Sequence, residues 1–166
     1  WEQILVFMAN KRSCDNIAFK FRKYGLNAVS FHGDLIQDER NETLEDFKNK
    51  KIDILFATDI AARGLHIDDI SCVVNFDLPR AVADYVHRIG RTGRAGKSGD
   101  AISFIGLEDF EHFALIEKRC DIKLEKEQIK GFELVGVQIK KEKRKEPIKG
   151  KRNSKKDKLR EQALKD

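Results

Sequence analysis

Five short runs of almost purely apolar residues, separated by stretches of helical period, constrain this chain more than any other feature. They are Ile4-Leu5-Val6-Phe7-Met8, Ala28-Val29-Ser30-Phe31, Asp53-Ile54-Leu55-Phe56-Ala57-Thr58, Cys72-Val73-Val74-Asn75-Phe76 and Ala101-Ile102-Ser103-Phe104-Ile105. Runs without polar alternation suit strands buried on both faces. Between them the pattern turns helical. Cys14, Ile17, Ala18 and Phe21 form an apolar stripe, with Ser13 placed to cap it and Gly25 to stop it. Helices are also expected from Gln37 to about Asn49, from Ala81 to about Arg88 and from Glu108 to about Arg119. The second carries Leu44 and Phe47 inward. In the last, Phe110, Phe113, Ala114 and Glu117 recur at helical period, read as core packing with one exposed charge. Strands alternating with helices predict a parallel sheet with helices on both faces. Ligands of such sheets bind beyond the carboxyl ends of the strands. The polar clusters Asn10-Lys11, His32-Gly33-Asp34, Thr58-Asp59 and Asp77-Leu78-Pro79 fall at those ends.

Length and composition agree with one domain and a tail. The chain has 166 residues, 40% of them apolar, enough for a core without staples. Cys14, Cys72 and Cys120 are far apart, with no CxxC or Cys/His pairing. They read as small buried hydrophobes rather than a disulfide framework or zinc site, and they fit a reducing, cytoplasmic setting. Asp68-Asp69 reads as a solvated turn and not a metal pair. No apolar run approaches the roughly 20 residues of a membrane helix. No secretory signal is read, although the chain opens on Trp1 rather than Met. Charge is uneven. Residues 138–166 hold 13 Lys/Arg and 5 Asp/Glu, a balance of +8, leaving 20 basic against 23 acidic residues, −3, for the rest. Lys140 to Lys145 has no apolar face, so burial there cannot offset the entropy of ordering. The expected division is a globular domain over 1–133 and a basic tail over 134–166, disordered or loosely helical.

The richest chemistry lies in Tyr85-Val86-His87-Arg88-Ile89-Gly90-Arg91-Thr92-Gly93-Arg94-Ala95-Gly96. Three arginines stand at a spacing of three. Gly90, Gly93 and Gly96 argue against a long helix and permit a tight turn. Clustered guanidiniums suit phosphate oxygens, which each planar fork can bind with two bonds. On charge and spacing alone, a solvated basic loop is the competing reading.

His87 to Arg94 resembles motif VI of superfamily 2 helicases in its DEAD-box form. Other elements of that family follow in its order. Val6-Phe7-Met8-Ala9-Asn10-Lys11 resembles motif IV. His32-Gly33-Asp34 with Gln37-Asp38-Glu39-Arg40 resembles the HGD and QxxR elements. Ala57-Thr58-Asp59-Ile60-Ala61-Ala62-Arg63-Gly64-Leu65 resembles motif V, and Asn75-Phe76-Asp77-Leu78-Pro79 the short motif before motif VI. The resemblance covers residues 4 to about 132. It implies the second, C-terminal RecA-like domain of an ATP-dependent RNA helicase, a monomeric enzyme acting on RNA. Arg91 and Arg94 match the arginine fingers that reach the γ-phosphate of ATP. Gly64 and His66 match positions beside the nucleotide. Asn10, Gly33, Gln37, Arg40, Thr58 and Arg88 match positions on or near the RNA backbone, and His87 and Arg88 positions linking the two domains. Phosphate contacts of this kind position a strand without reading its sequence.

Two departures stand out. Motif V usually continues Gly-Leu-Asp-Ile, whereas this chain has Gly64-Leu65-His66-Ile67; a histidine cannot supply the anionic acceptor expected at the ribose. Asn10 stands where motif IV usually has threonine. There is also no GxxxxGK[ST] loop and no Asp-Glu-Ala-Asp in the sequence. Those parts, and the Mg2+ they hold, belong to the family's N-terminal RecA-like domain, the implied partner. This segment alone is therefore expected to be inactive, with no metal site and no membrane association. The alternative is an ATP-independent RNA-binding or chaperone module. The basic tail is read as a non-specific RNA anchor acting through counterion release.

Overall fold

The computed structural model describes residues 1–63, 67, 70–94 and 96–136. The expected sheet is present. Strands β1 (Ile4–Met8), β2 (Ala28–Phe31), β3 (Ile54–Thr58), β4 (Cys72–Asn75) and β5 (Asp100–Ser103) pair in the order β2-β3-β1-β4-β5, every pair parallel. All five carboxyl ends thus lie along one edge.

Alternation along the central strands divides the core between two faces. Leu5, Phe7, Leu55, Ala57 and Val73 pack on one side with Phe31 and Phe47. Val6, Met8, Ile54 and Phe56 pack on the other against Cys14 and Ala18. The first face is covered by α2 (Gln37–Lys48) and the short α3 (Asp59–Ala62), the second by α1 (Lys11–Lys23). Phe21 of α1 meets Phe56 edge to face, with centroids 5.1 Å apart. A third cluster joins α4 (Val82–Ile89) to α5 (Phe110–Cys120) through Tyr85, Phe113 and Ile116. This is a RecA-like α/β domain.

Several local expectations change. Asn10, and not Ser13, caps α1: its backbone is extended and its side-chain oxygen accepts from the Ser13 amide at 2.9 Å. Asparagine serves that position as well as serine does. Gly25 follows the helix at φ +79, as a stop signal should. Helix α3 was not foreseen, because four residues are too few for a periodic pattern. In α5 the core-facing residues are Phe113 and Ile116, while Ala114 is exposed. Glu117 is not an exposed charge. Its carboxylate is mostly covered and takes bonds from Lys126 Nζ (2.8 Å) and the Leu124 amide (3.1 Å), pinning the segment after the helix. Those bonds, Lys126 first, hold its pKa below the usual glutamate value. The basic residues from 137 onward lie outside the described residues.

The turn after α4 is held by close packing. Thr92 is buried, donates its hydroxyl to the Ile70 carbonyl, and forms an isolated parallel bridge with Ile70. Gly93 sits at φ +66. A Cβ on Gly99 would run into the Thr92 hydroxyl and stand 2.8 Å from the Gly93 nitrogen. Gly99→Ala is therefore expected to destabilise the domain by about 1–3 kcal/mol. Thermal unfolding should show a midpoint lower by roughly 5 °C, and an unchanged midpoint would contradict this account of the turn.

Candidate functional site

Parallel pairing assembles the first half of the site. Met8 pairs with Thr58 and Phe31 with Ala57, so the segments leaving β1, β2 and β3 emerge as neighbours about 5 Å apart. Asn10, Gly33, Gln37, Arg40 and Thr58 all lie on this edge. Asn10 is exposed, although its oxygen is committed to the α1 cap. Gly33 is exposed and faces open space where a side chain would project. Gln37 opens α2 and donates to Asn41 at 2.9 Å. Arg40 is half-buried, with its guanidinium 4.8 Å over the Phe31 ring and 3.3 Å from the His32 carbonyl. That leaves a planar cation stiffly mounted. Thr58 is largely buried at the end of β3.

A buried histidine secures this edge. His32 is 5% exposed, and its Nε2 lies 2.9 Å from Asp15 Oδ1 on α1. Ser30 donates to the same oxygen at 2.6 Å. Burial would raise the pKa of Asp15, but the bonds from Ser30 and His32 outweigh it and hold the carboxyl below its usual range. Asp34 is paired with Lys11. The His32-Gly33-Asp34 turn is thus tied to α1 at two points.

The arginines form the second half and divide sharply. Arg88 is 3% exposed. Its Nε and Nη2 bond the two carboxylate oxygens of Asp59 at 2.7 Å each. Its Nη1 bonds Asn75 Oδ1 at 2.9 Å and the Asp77 carbonyl at 2.6 Å, and its plane lies over Phe7. Sequence reading put Arg88 on the RNA track and at the domain junction. Here the guanidinium is occupied within its own lobe. Arg91 is half-buried and lines a cleft with Phe7, Asp59, Ala62, Arg63, Asp84, His87 and Arg88. Arg94 is exposed and bonds back to the Gly90 carbonyl through Nε. His87 is exposed on the cleft wall.

The cleft suits an anion. Its two carboxylates are each engaged by an arginine, Asp59 by Arg88 and Asp84 by Arg63 at 3.0 Å. Among the described residues no three His, Cys, Asp or Glu side chains converge as metal ligands. Gly64 and His66 lie outside the described residues, as do Asp68 and Asp69. Cys14 and Cys72 are poorly suited to act as nucleophiles: both are buried, and burial pushes the Cys14 thiol up to about 12 and the Cys72 thiol up to about 11.

Sequence reasoning missed Asp59, Asn75 and Asp77 as individuals. Asp77 accepts the Ala9 amide at 2.7 Å, beside Asn10, and its own amide bonds the Phe7 carbonyl. The available signal was a polar residue at or just past the end of each of two apolar strands. Such residues need buried partners, and Arg88 is that partner.

Comparison with known proteins gives the chain its family. Residues 1–96 match the helicase conserved C-terminal domain. ATP-dependent RNA helicase RhlB of Pseudomonas syringae is 46% identical over 124 residues, 75% of this chain and 31% of that protein. DEAD-box ATP-dependent RNA helicase 30 of Arabidopsis thaliana is 50% identical over 102 residues, 61% of this chain and 17% of that protein. Among solved structures, E. coli DEAD-box protein SrmB, bound to regulator of ribonuclease activity A, superposes with a TM-score of 0.76 at 31% identity. That match covers 84% of this chain and 82% of that one. The C-terminal domain of DEAD-box protein Dbp5 gives 0.69 at 36% identity, covering 73% and 72%. The chain therefore belongs to the DEAD-box RNA helicases, as their C-terminal RecA-like domain. It spans about a third or less of the length of these two curated relatives.

Proposed function

We propose that this domain is the second lobe of an ATP-dependent RNA helicase, delivering Arg91 and Arg94 to a nucleotide held by a first RecA-like lobe. In this reading Asn10, Gly33, Gln37, Arg40 and Thr58 grip the RNA backbone, and Gly64 and His66 adjoin the nucleotide. The Mg2+ that accompanies ATP is held by the first lobe. The observation that carries the reading is that Arg91 shares a cleft with Asp59, the residue next to Thr58. One face thus meets both the proposed strand and the proposed phosphate. A planar guanidinium there neutralises charge on the phosphoryl group as it leaves, without any change in its own protonation.

Because RNA and nucleotide both bridge the two lobes, each favours closure and so favours the other. A strand held by its phosphates is gripped irrespective of sequence, and a complement that cannot follow the gripped path is displaced. The basic segment 138–166 adds non-specific affinity for the same polyanion.

The test uses the full-length protein. Single-stranded RNA is expected to stimulate ATP turnover at least ~10-fold, with DNA of the same sequence a poor substitute, because the 2′-hydroxyl is available only on RNA. Retained RNA binding with no RNA-stimulated turnover would instead favour an ATP-independent RNA-binding module.

A further inference from the structure

The motif Asn75-Phe76-Asp77-Leu78-Pro79 has no role in the reading above, yet among the described residues its first member is the most enclosed of the buried polar and charged side chains. Asn75 closes β4 and is 0% exposed. Its two amide ends are used in opposite directions. Oδ1 accepts from Arg88 Nη1 at 2.9 Å, and Nδ2 donates to Ser103 Oγ of β5 at 3.1 Å. Ser103 Oγ lies 3.3 Å from the hydroxyl of Tyr85, itself 2% exposed on α4. A largely buried polar chain therefore runs Asp59–Arg88–Asn75–Ser103–Tyr85 and joins α3, β4, β5 and α4. Among the described residues no buried side-chain nitrogen or oxygen lacks a partner.

From this geometry we infer that Asn75 is a positioning residue. It sets the fork of Arg88, and through it the relation between the RNA-facing end of β3 and the arginine turn. Three facts support the chain of action. Arg88 grips Asp59 with two bonds, and Asp59 directly follows Thr58. Arg88 also takes the carbonyl of Asp77, whose carboxylate holds the Ala9 amide next to Asn10. Arg91 lies three residues after Arg88 in the turn that closes α4, its amide bonded to the Arg88 carbonyl at 3.2 Å. A shift of the Arg88 fork would thus move groups beside two proposed RNA contacts and one proposed phosphate contact. Arg88 fixes which end of the amide it meets, because a guanidinium only donates and so faces Oδ1, and Ser103 then supplies the partner that Nδ2 needs. A network that is fully satisfied holds one arrangement; half-satisfied, it does not.

The inference rests on the proposed helicase reading, and its test separates the two. In the full-length protein, Asn75→Leu keeps the volume and removes both bonds, whereas Asn75→Asp keeps the acceptor for Arg88 and can accept from the Ser103 hydroxyl. The readout is the ratio of RNA-stimulated to RNA-free ATP turnover, taken with thermal stability. Asn75→Leu is expected to lower that ratio ~10- to 100-fold, the scale of a sub-ångström to 1 Å misplacement of a reacting group. Asn75→Asp is expected to stay within about threefold of wild type. If Asn75→Leu does not fold, Asn75→Asp and Ser103→Ala decide: the first should retain the ratio, and the second should lower it without unfolding the protein. A purely structural asparagine would lower the melting temperature of Asn75→Leu and leave the ratio intact, which overturns the inference. So would an Asn75→Asp ratio as low as that of Asn75→Leu, or an unchanged ratio in Ser103→Ala. Arg91→Ala measured in parallel tells the layers apart: normal turnover in that variant refutes the helicase reading itself. An inactive Arg91→Ala beside an unaffected Asn75→Leu refutes only the positioning role.

Discussion

Arg91→Ala in the full-length protein is expected to lower RNA-stimulated ATP turnover by ~10³-fold or more, the usual cost of removing an arginine finger. Arg94→Ala should fall in the same range. The argument starts from where the side chains stand. Arg91 is half-buried on a cleft wall and Arg94 is exposed, so neither forms part of the apolar core. Loss of either should leave the fold standing, and the circular dichroism and melting temperature of the domain should stay near wild type. RNA affinity should change far less than turnover, because Arg91 and Arg94 are not among the proposed RNA contacts. Arg91→Lys should not restore the rate, since an ammonium is a point charge and cannot supply the planar two-bond fork. Turnover at the wild-type rate in both alanine variants would remove the basis for assigning these residues to the nucleotide.

Arg88→Met should behave in the opposite way, as a defect of folding first. Methionine approximates the aliphatic length but removes every donor. The buried Asn75 amide would lose its Arg88 partner, and the partly covered Asp59 carboxylate would lose both its bonds. Removing one member of a buried ion pair strands the other, and a loss of about 3 kcal/mol is expected. In urea the unfolding midpoint of the domain should fall by about 1.5 M with little change in slope. Arg88→Lys should recover only part of this, since one ammonium cannot reach four acceptor atoms arranged for a fork. Arg63 provides the internal contrast. It pairs with Asp84 at 3.0 Å, but its side chain is 65% exposed, so Arg63→Ala should cost less than about 1 kcal/mol. If Arg88→Met were as mild as Arg63→Ala, the buried joint described above would have no energetic reality.

These two arginines, three residues apart in one motif, show where the sequence can be read and where it cannot. Strand content was legible because a strand buried on both faces must be largely apolar, and β1 and, up to its closing Thr58, β3 are. The stop of α1 was legible because few residues other than glycine accept the φ of Gly25. The cap of α1 was misplaced by three residues because Asn10 and Ser13 are both competent, and only the backbone decides between them. Glu117 was misjudged because its partners, Leu124 and Lys126, come from a later segment with no periodic signal.

The sequence by itself determined the parallel alternation of strands and helices, and it marked a run of arginines suited to phosphate. Both follow from local chemistry: apolar period in the first case, residue type and spacing in the second. Only the tertiary structure decided that Arg88 turns inward to Asp59 and Asn75 while Arg91 lines the cleft. All the arginines of the motif carry the same charge and the same fork. Their fates differ because the folded sheet presents a carboxylate and an amide, 29 and 13 residues away in the chain, to one of them.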